Sequence, residues 1–212
     1  MSTELKEIET NGTQLSVFTL EGFELVQRMA KAFSSSTLVP KHYQGPAGLG
    51  NCIIALNMAQ RIGSDPLMTM QNLYIVHGTP SWSSQFLIAT FNTCGRYGSI
   101  RYKFFGKEGS DDWGCRAYAT ELATSEVLGG SLITIKLAKA EGWYTKAGSK
   151  WQTMPEQMLK YRAASWLVRA YAPEIGMGLH CVEELEDVGP QNNGRKITAI
   201  DLENITGEVF DE

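Results

Sequence analysis

Apolar and polar positions along the chain follow two periods, one helical and one extended, and their boundaries outline an α+β fold. Phe23, Val26, Met29/Ala30 and Phe33 recur at helical spacing and stop at Ser34-Ser35-Ser36. A loop over 38–45 leads to a second helix over 46–62. Its apolar face is read as Leu49, Ile53, Leu56 and Met58/Ala59, and Gly63 closes it. Asp65-Pro66 reads as a break, and 72–77 as a strand entering a Gly78-Thr79-Pro80 turn. A third helix is expected over 83–94, with Phe86, Ile88/Ala89 and Phe91 inward and Gly95 as its C-cap.

Three antiparallel strands are expected next. Residues 99–105 set Ile100, Tyr102 and Phe104 against Arg101 and Lys103, and residues 115–122 set Ala117 and Ala119 against Arg116, Tyr118 and Thr120. Residues 131–137 set Ile133, Ile135 and Leu137 against Leu132, Thr134 and Lys136. The turns hold 106–114 and Gly129-Gly130. A side-chain period of two then places Arg101, Lys103 and Arg116 on one exposed edge or face. A long helix follows over 155–171, with Pro155 in its first turn and Pro173 beyond its end, then a short acidic helix over 182–188. The expectation is one α+β domain over 19–188, a small antiparallel sheet with hairpins packed against several helices. A flexible segment over 1–18 and an acidic flexible tail over 189–212 flank it.

Composition narrows the function. With 43% hydrophobic and 20% charged residues the chain has enough apolar side chains to fold. Its longest apolar runs, such as 52–56, fall far short of the ~20 residues that cross a bilayer. Glu4, Glu7 and Glu9 stand where a secretion signal would be basic, so a cytoplasmic protein away from membranes is expected. Cys52, Cys94, Cys115 and Cys181 form no close-spaced pair, and His42, His77 and His180 are equally scattered. Reduced thiols and no metal site are expected.

Charge is partitioned along the chain. Residues 1–24 carry one lysine against five glutamates, and residues 174–212 carry two cations against ten carboxylates. The body over 25–173 has sixteen Lys/Arg against eight Asp/Glu. A basic body suits a polyanion, or is an ordinary solvated face; acidic ends can contact a partner or compete with the polyanion.

No constellation for covalent chemistry stands out. There is no GxxxxGK[ST] loop for ATP, and Gly45, Gly48 and Gly50 lack the strand that a dinucleotide fingerprint needs. Asp65, Asp111, Asp112, Glu121 and Glu126 fall mostly in turns rather than as clustered magnesium ligands. Ser81, Ser83 and Ser84 lack a GxSxG elbow. The expectation is a non-enzyme that needs no cofactor.

Binding chemistry is better represented. Between 136 and 169 cations interleave with aromatic rings: Lys136, Lys139, Trp143, Tyr144, Lys146, Lys150, Trp151, Lys160, Tyr161, Arg162, Trp166 and Arg169. Cations neutralise phosphates and planar side chains stack on bases, the combination that holds single-stranded nucleic acid. Arg162 and Arg169, seven apart, share one helix face, while Met158 and Trp166 read as core. Trp151 reads equally as a stacking residue or a loop anchor.

This same stretch carries a resemblance. Trp151-Gln152-Thr153-Met154-Pro155, then Met158-Leu159-Lys160-Tyr161-Arg162-Ala163 and Arg169, resembles the W-x3-P-x2-M-L-basic-x-basic-A-x5-R segment of phage Red-beta proteins. With RecT these form a superfamily of single-strand annealing proteins. Ile54-Ala55-Leu56, Ala59-Gln60, Gly63, Asp65-Pro66 and Leu73-Tyr74-Ile75 resemble a second block. Cys115-Arg116-Ala117-Tyr118 and Val182-Glu183-Glu184-Leu185-Glu186 resemble two further ones, so the likeness runs over roughly 47–188. Glu156 and Gln157 depart from it, standing where the Red-beta segment is basic.

The resemblance implies ATP-independent annealing of complementary DNA strands by rings or helical filaments of this chain. It also implies a phage 5′-to-3′ exonuclease and a host single-strand-binding protein as partners. DNA contact is carried onto Arg116, Arg162 and Arg169, and by charge type onto Lys160. The full expected set is Arg101, Lys103, Arg116, Lys146, Lys150, Trp151, Lys160, Arg162 and Arg169, with single-stranded DNA and the annealed duplex as ligands. Truncating Arg162 or Arg169 is expected to weaken DNA binding without unfolding the chain. The rival readings are a protective single-strand binder that does not anneal, an oligomeric phage assembly protein, and a nuclease.

Overall fold

The structure, a computed structural model, describes residues 19–189. The expected flexible segment over 1–18 lies outside the described residues, as does the acidic tail beyond Gly189. The first helix, α1 (Leu20–Ser34), starts where Thr19 Oγ1 accepts the Gly22 N–H at 3.2 Å. Its buried stripe is Gly22, Val26 and Ala30, spaced four apart. It packs on α2 (Gly45–Ile62), which Gly63 ends in the left-handed region at φ 65°.

The face that α2 buries matches the expected one at Leu56 and Ala59 and is shifted elsewhere. Gly48, Cys52, Ala55, Leu56 and Ala59 are buried, Leu49, Ile53 and Met58 only partly, and Ile54 is 60% exposed. Small residues win because the backbones approach closely. A Cβ at Gly48 would lie 2.1 Å from the Tyr43 carbonyl carbon in the preceding 3₁₀ turn (Lys41–Tyr43).

Asp65-Pro66 starts a helix instead of breaking the chain. Asp65 Oδ1 accepts the Met68 N–H at 2.9 Å, and Pro66 opens α3 (Pro66–Asn72). A hairpin follows, β1 (Leu73–Val76) and β2 (Thr79–Trp82), with Val76 opposite Thr79. His77 and Gly78, both at positive φ, make the two-residue turn, so Thr79 and Pro80 belong to the returning strand. Helix α4 (Ser84–Thr93) is capped by Ser83; Phe86, Leu87 and Phe91 are buried, while Ala89 is exposed.

The second sheet orders β3 (Arg101–Phe105), β4 (Gly114–Thr120) and β5 (Val127–Gly129), with β6 (Ile133–Thr134) on the far end of β4. All pairings are antiparallel. The expected strand over 131–137 shrinks to those two residues of β6, and Gly129 lies in β5. Thr134 Oγ1 accepts the Leu137 N–H at 3.1 Å, and the good helix formers Lys136, Leu137, Ala138, Lys139 and Ala140 continue as α5 (Ile135–Ala140). After the short α6 (Lys150–Thr153) come α7 (Pro155–Tyr171) and α8 (Val182–Val188), both with the expected bounds.

Two hydrophobic clusters result. One joins the inner face of β3–β6 to α7, α4 and α5, around Phe91, Ile133, Trp151, Leu159 and Leu167. The other joins α1, α2 and the hairpin, around Cys52, Met70 and Trp82. Trp82 ties the hairpin to the segment before α8. Its indole N–H donates to the Gly176 carbonyl at 3.0 Å, its backbone N–H to that of His180 at 3.0 Å, and it bridges Cys181 in parallel.

Candidate nucleic-acid interface

The alternation of β3 and β4 decides which side chains meet solvent. Ile100, Cys115, Ala117 and Ala119 are buried on the side packed against α7. Arg101, Lys103 and Phe105 therefore share the opposite face with Arg116, Tyr118 and Thr120. The register sets Lys103 opposite Arg116, Arg101 opposite Tyr118, and Tyr118 opposite Gly129. The expected grouping of Arg101, Lys103 and Arg116 thus holds, on an open face that spans the edge strand β3 and the central strand β4.

On this face Arg101 and Lys103 are exposed, and none of the three cations pairs with a carboxylate among the described residues. Lys103 Nζ stands 5.4 Å from the Phe105 ring centre. The Arg116 Nε–H is buried with no acceptor. Like charges directly opposite across a sheet repel, so Lys103 beside Arg116 favours an anion between them. Arg101, Lys103, Tyr118, Thr120 and Val127 line a cavity of about 610 Å³ over the face.

The other expected residues are engaged elsewhere, mostly by α8. Arg162 is buried with 4% of its side chain exposed; it pairs with Asp187, lies 4.0 Å from Glu184, and stacks 3.9 Å from the Trp143 ring centre. Trp151 is fully buried and donates its indole N–H to Asp187 Oδ2 at 2.8 Å, so it is an anchor and not a surface stacking ring. Arg169 pairs with Glu184 and shares a 2.7 Å hydrogen bond with the His180 ring. Lys150 meets Glu186 at 3.1 Å, and Lys146 donates to the Glu186 backbone carbonyl. Lys160 pairs within α7 with Glu156 at 2.5 Å and lies 5.6 Å from the Phe104 ring centre.

Burial pulls the Arg162 guanidinium down against the attraction of Glu184 and Asp187, and pushes the Asp187 carboxyl up against the Trp151 N–H and Arg162. Removing one partner strands the other as a buried charge, at a cost of about 3–5 kcal/mol. Truncating Arg162, expected to leave the chain folded, therefore carries a stability cost: this guanidinium fastens α8.

Tyr118 and Phe105 complete the open face, yet neither belonged to the expected set. The signal was present, since both fall on the same alternation as Arg101 and Arg116. Gly129 also matters, because a Cβ there would lie 3.3 Å from Tyr118 Cε1. That pairing requires β5, which the sequence pattern read as a turn.

The four cysteines are free, and no group of three or more His, Cys, Asp or Glu is placed to hold a metal ion among the described residues. No helix among them is long and apolar enough to cross a membrane. Comparison with protein-family models, with curated proteins and with solved structures finds no match.

Proposed function

We propose that this protein is a phage or prophage single-strand annealing protein that works without ATP in the host cytoplasm. The observation that carries the reading is the open face of β3–β5, where Arg101, Lys103 and Arg116 stand without carboxylate partners beside Tyr118 and Phe105. Phosphates would lie on the three cations and base π-faces on the rings. Watson–Crick edges then stay free, and base pairing with a second strand, rather than the protein, reads sequence.

This assigns DNA contact to the sheet face and takes it from Arg162 and Trp151, which are buried, and from Arg169, Lys146 and Lys150, which α8 engages. Self-assembly into rings or filaments is supported by an apolar groove between α2 and the hairpin, lined in part by Ile54, Met58, Ile75 and Pro80. Exonuclease and single-strand-binding-protein partners rest on the resemblance alone.

The test is annealing of two complementary fluorescent oligonucleotides without ATP over a salt series. Log affinity should fall against log salt by about 0.7 per phosphate neutralised. Arg101→Ala, Lys103→Ala and Arg116→Ala should each reduce that slope by about 0.7. Binding without faster annealing would leave a protective single-strand binder. Indifference to DNA at low salt would favour the assembly-protein reading.

A further inference from the structure

The outer face of the sheet presents one ring whose surroundings differ from those of the other aromatic residues. Tyr118 is half-buried on the central strand β4, directly opposite Gly129 on β5. A Cβ at position 129 would lie 3.3 Å from Tyr118 Cε1 and 3.5 Å from Cδ1, so the ring lies against glycine backbone where any other residue would put a side chain. It is the Cδ1–Cε1 side of the ring that meets the glycine. Among the described residues that ring stacks on no other ring and takes no cation. Phe105, by contrast, already has Lys103 over it.

We infer that Tyr118 is a base-stacking residue, taking one unpaired base of single-stranded DNA on its unstacked ring. The inference rests on the sheet-face reading above and deepens it. Three features converge. Arg101 lies opposite Tyr118 across the β3–β4 ladder, and Arg116 is two residues along the same strand, so cations for the phosphates flank the ring on two sides. The Arg116 Nε–H has no acceptor, and a phosphate oxygen would supply one. Tyr118 lines, together with Arg101 and Lys103, the cavity of about 610 Å³ on this face. A duplex base already has its π-faces covered by its neighbours, so the ring selects unpaired bases. Stacking leaves the base edge free for pairing, as annealing requires.

Covering a sheet glycine with an aromatic ring also has a purely structural use, and the variants are chosen to separate the two roles. Tyr118→Leu keeps apolar cover over Gly129 but has no π-face; Tyr118→Phe keeps both. The probe is a fluorescent oligothymidine, measured over a salt series beside a duplex of equal length, with thermal melts of each variant. Tyr118→Leu should lose about tenfold in single-strand affinity. Its salt slope, duplex affinity and melting temperature should match wild type, and Tyr118→Phe should bind as wild type does. Irradiation of the wild-type complex with an oligonucleotide carrying 5-iododeoxyuridine should yield an adduct at Tyr118. Single-strand affinity unchanged in Tyr118→Leu, or an adduct confined to another element, overturns the stacking role while DNA binding stands. No binding by the wild-type chain at low salt overturns the sheet-face reading and this inference with it.

Discussion

At Arg162 the guanidinium sits among Asp187, Glu184 and the Trp143 ring, whereas Arg101 stands exposed on β3. Both were read from the sequence as DNA ligands, and only the second kind of placement was legible there. Alternation along a strand is local, so Arg101, Lys103 and Arg116 could be grouped from spacing alone. Arg162 meets Asp187 25 positions away, and no spacing rule places α8 against α7. The difference yields a paired prediction. Arg162→Ala should cost about 3–5 kcal/mol of unfolding free energy, whereas Arg101→Ala should stay within about 0.5 kcal/mol of wild type. Urea denaturation of the two variants measures both. Equal and small losses would mean that the Asp187–Arg162 pair does not hold α8.

Among the elements, α2 shows how a helix can bury a face only partly legible in its sequence. Its bounds followed from Pro46 and Gly63, both of which act locally. Of its expected apolar face Leu56 and Ala59 are buried, while Leu49, Ile53 and Met58 are only partly so; Gly48, Cys52 and Ala55 join them, since small residues let the neighbouring backbone approach. Two glycines in this helix should therefore respond in opposite directions. Gly48→Ala must push against the Tyr43 backbone and should destabilise by about 3 kcal/mol or more. Gly50→Ala meets nothing within 4 Å and should stabilise by about 0.5–1 kcal/mol through helix propensity. Chemical denaturation of each variant decides it; a neutral Gly48→Ala would refute the close approach. The shortened β6 has the same kind of cause. Thr134 suits a strand by its β-branch and an N-cap by its hydroxyl, and helix-forming residues after it tip the choice.

For the whole molecule, burial of ionisable groups sets a pH dependence that composition does not reveal. Burial pushes Tyr43, Tyr102 and Cys181 up to about 12 and Cys115 to about 11. In the unfolded chain such thiols and phenols ionise between about pH 8.5 and 10. Between those values and the folded ones the unfolded chain holds fewer protons, so unfolding becomes easier as pH rises. Stability should thus be unaffected by these four groups below about pH 8 and fall from about pH 9 to 12. Denaturation midpoints at pH 8, 9.5 and 11 check the sign; a flat profile would mean these groups ionise freely in the folded protein.

What the sequence determined by itself is what near neighbours decide: the α+β class, the bounds of α7 and α8, the ends of α2, and a strand face carrying Arg101, Lys103 and Arg116. Caps, prolines, glycines and side-chain periods act over a few residues, so their effects can be read along the chain. Only the tertiary structure decided which cations stay free. The carboxylates of α8 and the basic stretch at 146–169 are separate in the sequence, and packing brings them together. Tyr118 falls on that readable face, but only β5 places Gly129 opposite it, a pairing between strands that no local signal encodes.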